Sequence, residues 1–153
     1  MNTLESLKVK GRLNIVLRDK DGNVKDEREV DNLVVSSGLA YIISRMVGTS
    51  KAVMSHMGLG SGTTAAAAGQ TDLVSVLGSR EALDSSTIAG TDNEKVVYVA
   101  SFEPGDATGA VTEAGIFNAS TAGDMLCRTV FPVVNKGADD ALTVTWTITL
   151  SAV

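Results

Sequence analysis

Residues 142–150 read LTVTWTITL, with Leu142, Val144, Trp146, Ile148 and Leu150 on one side of an extended chain and Thr143, Thr145, Thr147 and Thr149 on the other. A period of two belongs to a β-strand, because a helix would scatter these side chains around its axis. Val, Ile, Thr and Trp all favour strands. One face of this segment must therefore be buried, and the other must meet water or a neighbouring sheet. Residues 7–18 repeat the pattern, with Leu7, Val9, Gly11, Leu13, Ile15 and Leu17 on one side and Lys8, Lys10, Arg12, Asn14 and Arg18 on the other.

Further elements are legible between these two strands. Asp21-Gly22-Asn23 supplies a turn, since Gly and Asn accept positive φ at little cost, and the chain returns through Val24–Val35 as a hairpin. Short strands are predicted over residues 53–59, 80–88, 95–102, 110–117 and 125–134. Residues 60–70, GSGTTAAAAGQ, read as a loop, and Thr71–Leu77 as one or two helical turns. One amphipathic helix stands out near residues 37–47, opened by Ser36-Ser37-Gly38 with a serine as N-cap and stopped by Gly48. Its apolar stripe is Leu39, Ile42, Ile43, Met46 and Val47. The expected fold is mainly β, a β-sandwich or jelly-roll-like single domain over residues 1–153 with one short helix. The expected core comprises Leu13, Ile15, Leu17, Leu39, Ile42, Ile43, Val97, Val99, Ile116, Phe117, Val130, Val144, Trp146 and Ile148.

Composition narrows the function. At 153 residues one domain can bury a sizeable core. A net charge of −5 argues against nucleic acid as a partner, because phosphate recognition needs a positive field. The single cysteine, Cys127, forbids an intrachain disulfide. No run of apolar residues reaches the length of a membrane span, and the first residues lack a signal-peptide pattern, so folding in a cytoplasm is expected.

Motifs for chemistry are weak. His56 is the only histidine; a Ser-His-Asp or Cys-His site is conceivable with it, and nothing forbids Asp72 as a partner, but a lone histidine within a strand reads as structural. Cys127 reads as a small buried hydrophobe, and no spaced Cys/His set offers a metal site. Gly58-Leu59-Gly60-Ser61-Gly62-Thr63 superficially resembles a phosphate loop but lacks its lysine. Asp19-Lys20-Asp21-Gly22-Asn23 places its glycine wrongly for a calcium loop. No cofactor and no catalytic residue is expected.

Three stretches taken in order carry a resemblance. They are Asn32–Leu39 leading into the helix; His56–Thr64 followed by Thr71-Asp72-Leu73; and Val111–Asn118, then Met125–Phe131, Lys136 and Leu142–Leu150. Together they resemble a family of small structural proteins of tailed bacteriophages, the chains termed tail or virion proteins. The resemblance spans most of residues 32–150 and transfers no catalytic residue. It implies a virion structural protein, foremost a capsid cement (decoration) protein on the outer capsid surface. Such a protein is a homo-oligomer, typically a homotrimer, with the major capsid protein as partner. The alternative station is a tail, baseplate or fibre-associated subunit with tail proteins as partners. A small carbohydrate-binding module is the alternative from another class. Residues 1–10, with Leu4, Leu7, Lys8 and Lys10, are read either as an extended N-terminal arm that adds a strand to a neighbour or as a frayed terminus.

The alternation generates a direct test. Ile148→Asp would bury an unpaired carboxylate. Loss of soluble, cooperatively melting protein is expected, and a normal melting transition would show that this face is not the core.

Overall fold

The computed structural model describes residues 6–48 and 51–152. Its elements are β1 (Leu7–Arg18), β2 (Val24–Val34), α1 (Ser36–Met46), β3 (His56–Gly60), β4 (Glu81–Ala82), β5 (Ser85–Ala89), β6 (Lys95–Phe102), β7 (Gly109–Phe117), β8 (Met125–Lys136) and β9 (Ala141–Ala152). The nine strands form one curled antiparallel sheet in the order β4-β3-β7-β8-β2-β1-β9-β6-β5. The fold is mainly β and sandwich-like, with one short helix. One layer holds β5, β6, β9, β1 and β2, and the other holds β4, β3, β7 and β8.

Two corners join the layers. At the first, β2 pairs with β1 from Val24 to Asn32 and then passes to β8 through Leu33 and Val34. At the second, β4 and β5 are separated only by Leu83 and Asp84, whose amides donate to Ser55 O and Val99 O. One bent segment thus borders both ends of the strand order, and little open edge remains there. Where β2 has splayed away from β8, side chains bridge the gap. The Arg28 guanidinium donates to the carbonyls of Pro132 and Val133, and Thr129 Oγ1 donates to Asp31 O at 2.8 Å.

The two long alternating strands pair with each other. β1 and β9 are in register from Leu7↔Ala152 to Arg18↔Ala141, which sets Leu13 opposite Trp146 and Ile15 opposite Val144. Their common face is buried with Tyr98, Ala100 and Phe102 of β6, against Met57, Leu59, Ile116 and Cys127 of the other layer. Phe117, with Val35, Leu73 and Met125, forms a second, smaller cluster. Trp146 is fully buried, and its indole N–H donates to Asn32 Oδ1 at 2.8 Å. The β1–β2 turn is pinned by the Asp19 carboxylate, which accepts from the amides of Asp21 and Asn23, while Gly22 sits at φ +83°. A hairpin turn, rather than a cation loop, explains that sequence.

Several expectations need correction. Val97 and Val99 are only half-buried, because register with β9 sets them beside Thr147 and Thr145 on the outer face. β6 is apolar on both faces, and the larger Tyr98 and Phe102 take the inside. Val130 is half-buried, next to an irregularity of the β7–β8 register between Val111 and Glu113, and Phe131 takes the inward place. Residues 71–77 form no helix; they bend past the end of β3, with Val76 bridged to Gly60 and the Leu77 amide donating to Leu59 O. The expected strand over residues 80–88 is broken into β4 and β5.

The helix is where expected but rotated. Its N-cap is Val35, with no side-chain cap, because Ser37 Oγ donates to Met125 O instead, while the Ser36 amide is satisfied by Ala68 O. Gly38 and Tyr41 are its buried residues. A Cβ on Gly38 would stand 2.0 Å from the Leu126 carbonyl oxygen, so α1 touches β8 backbone to backbone. That contact fixes the helix's rotation. Ile42 packs partly against the core, but Leu39 and Ile43, expected inside, are exposed.

Gly38→Ala should therefore act as an overpacking substitution against rigid backbone, costing about 1–3 kcal/mol. Denaturant unfolding is the measurement, and an unchanged midpoint would contradict this helix position.

Candidate functional site

β7 lacks the alternation of a surface strand, and every residue from Val111 to Phe117 is buried. Its outward residues are covered by the segment of residues 61–80, which has almost no ladder of its own. A covering loop must find partners for its backbone groups. Here a single carboxylate provides them. Glu113 Oε1 accepts from the amides of Gly62 (3.0 Å) and Ser75 (2.7 Å), and Oε2 accepts from Val74 N at 3.0 Å. Arg128 Nε and Nη2 also donate to Oε2, at 3.0 and 2.7 Å. Both side chains are fully buried. The remaining nitrogen, Arg128 Nη1, donates to Thr64 O and Gln70 Oε1, both at 2.9 Å. Thr112 Oγ1 closes the set by donating to Gly62 O.

The glycine-rich sequence at 58–62 thus cradles an anion, but the anion is the chain's own. A Cβ on Gly60 would lie 2.4 Å from Glu113 Oε1, and one on Gly62 would lie 2.6 Å from it. Burial alone would raise the Glu113 carboxyl; the donated hydrogen bonds from Ser75, Val74, Arg128 and Gly62 outweigh it, and the group lies below its ordinary value of 4.5.

The other candidate residues are also engaged structurally. His56 begins β3, paired with Ala82 and Phe117, and its Nδ1 shares a hydrogen bond with Ser55 Oγ. Asp72 is held by Leu73 N and Arg80, not by His56. Arg80 lies over the Phe117 ring, 3.4 Å from its centroid, and donates to the carbonyls of Ala119 and Ala122. Cys127 is fully buried, which pushes its thiol well above the ordinary value. Lys136 is buried, its ammonium donating to Glu103 O; desolvation pulls its pKa down. Among the described residues no group of three or more His, Cys, Asp or Glu could hold a metal ion. No helix among them is long and apolar enough to cross a membrane.

Leu7, Lys8 and Lys10 lie within β1, paired with Ala152, Ser151 and Thr149. The last residues of the expected arm are therefore part of the chain's own sheet. They extend past Gly11, the last β1 residue paired to β2. Leu4 lies outside the described residues. The outer face of the β2-β1-β9 sheet is polar, an open concavity of about 450 Å³ lined in part by Arg12, Glu29, Asp31 and the β9 threonines. All six aromatic residues are buried, so none offers the stacking platform a sugar site would use.

What the described surface does offer is apolar. Leu39, Ile43 and Met46 are 46, 61 and 76% exposed on one arc of α1, and Val47, its C-cap, is 75% exposed. Beside them lies a groove of about 230 Å³ between α1, β5, β6 and β9, lined by Ile42, Ile88, Val96, Ile148 and Leu150 together with Asn93, Glu94 and Lys95. The sequence exposed the stripe but not its direction; Gly38, flush against Leu126, was the signal for which side faces inward. Comparison with family models, with curated proteins and with solved structures finds no match.

Removing Glu113 should cost about 3–5 kcal/mol, because Arg128 would be left buried and unpaired. With its folded value depressed, Glu113 contributes stability above pH 4.5 that is lost as pH falls through the folded value. Urea unfolding between pH 7 and 3 is expected to show Glu113→Gln less stable than wild type at neutral pH, with the difference shrinking in acid. A constant difference across that range would mean the carboxylate's charge is immaterial.

Proposed function

We propose that this chain is a structural subunit of a tailed-bacteriophage particle, a capsid cement protein that strengthens the head by bridging capsid subunits. The observation that carries an assembling role is the outward apolar arc of α1 with its adjoining groove. A lone subunit gains nothing by leaving such an arc in water, whereas a subunit that assembles buries it. The phage setting comes from the sequence resemblance over residues 32–150. Cementing needs only interface energy: a protein that binds the assembled shell and not its separated parts shifts the equilibrium toward the shell. The buried Glu113–Arg128 pair suits this role, since it holds the surface loop in one shape without any ladder.

The test is a count of copies per purified particle, by quantitative mass spectrometry against the major capsid protein. Near parity with the capsid protein is expected for a cement role. A small fixed number per particle would move the subunit to the tail, baseplate or a vertex, and complete absence from particles would overturn the virion reading.

A further inference from the structure

The most apolar arc of α1 points away from the domain that carries it. Counting 100° per residue, Ile42, Met46, Leu39 and Ile43 succeed one another around roughly 100° of the helix, and Val47 follows as its C-cap. Only the Ile42 edge of that arc reaches the core. From the same isoleucine the apolar surface continues into the groove toward Ile88, which is 69% exposed at the β5 edge. A convex apolar ridge and a concave apolar groove thus share one face and one residue.

We propose that this face is where a second copy of the chain docks, the α1 ridge of one copy (Leu39, Ile43, Met46) seating in the groove of the other. The inference rests on the assembly reading above and supplies its surface. Two observations favour a second copy as the occupant. Leu39, Ile43, Met46, Val47 and Ile88 are each 46–76% exposed on this one face, a contiguous group of large apolar side chains of the kind that marks an interaction site and not scattered surface residues. Ridge and groove also lie side by side on this one face, so the face is self-complementary: about a two-fold axis the ridge of each copy enters the groove of the other, and both are buried at once.

The experiment is sedimentation velocity with light scattering on the full chain over about 1–100 µM, for wild type, Ile43→Glu, Ile88→Glu and Val24→Glu. Ile43 and Ile88 are exposed, so neither change should alter the melting of the separated chain. The expected result is an oligomeric wild type whose dissociation constant rises at least ~30-fold in Ile43→Glu and in Ile88→Glu. Val24 is exposed at the far end of β2, and its substitution should leave association unchanged. A single-chain mass for wild type at the highest concentration would overturn the proposal, as would association indifferent to both ridge and groove changes. A monomer that instead binds phosphatidylcholine–phosphatidylglycerol vesicles through Ile43 would overturn it in favour of a lipid surface. Failure here is separable from failure of the virion reading: a monomeric chain counted on particles removes only self-docking, and an oligomeric chain absent from particles removes only the virion setting.

Discussion

The Glu113 carboxylate is the constraint on which one side of this molecule depends. A segment of about twenty residues without its own ladder lies against the outer face of β7 and β8, where its amides would otherwise be dry and unpaired. Three of those amides and two guanidinium nitrogens converge on one side chain. Replacing a buried ion pair with well-packed apolar residues is often harmless, because the charges cost much to desolvate. That exchange is closed to this pair. An apolar residue at position 113 would strand the amides of Gly62, Val74 and Ser75, and one at position 128 would strand the Thr64 carbonyl. The pair is kept for what it satisfies in the backbone, and glycine at positions 60 and 62 follows from the room the carboxylate needs.

The corners obey a related economy. A curled sheet has two ends, and each exposes backbone that invites pairing with another chain. Here one bent segment, β4 through β5, borders both ends, and β2 changes layers at Asn32. Where β2 and β8 diverge, charge takes over from the ladder: Arg28 occupies two β8 carbonyls while Asp26 balances it. The outer face of β2 carries Glu27, Glu29 and Asp31, two of them joined to Arg12. A strand so charged is poorly suited to accept a stray partner strand, whereas the apolar face at α1 has no such guard.

What the sequence made legible follows from how many physical demands each residue answers. Along β1 and β9 one demand dominates, burial on one face, so alternation revealed strand and buried face together, while the pairing of β1 with β9, at opposite ends of the chain, left no mark in the sequence. β6 carried apolar residues on both faces, and only the bulk of Tyr98 and Phe102 against Val97 and Val99 could choose between them. β7 hid its pattern for the opposite reason: both faces are covered, one by a loop that composition marked as open and flexible. Glu113 was invisible as a site, since a carboxylate in an apolar stretch has no spacing signature. Its position within Val111–Phe117, where a charge is costly unless fully paired, was the available clue.

The helix shows where such reading stops. Amphipathicity establishes that an apolar arc must leave water; it does not say into which body. For Ile42 the answer is this domain's own core. For Leu39, Ile43 and Met46 the core is already filled by Gly38 and Tyr41, whose close fit against β8 leaves no freedom to turn the helix further. Rotating α1 to bury its strongest stripe would drive side chains into the Leu126 backbone. The domain therefore settles with a small residue inward and large ones outward, the reverse of what a self-sufficient helix would choose. That inversion is held by Gly38, which lets two backbones meet, and it leaves the large side chains of the stripe in water on this subunit.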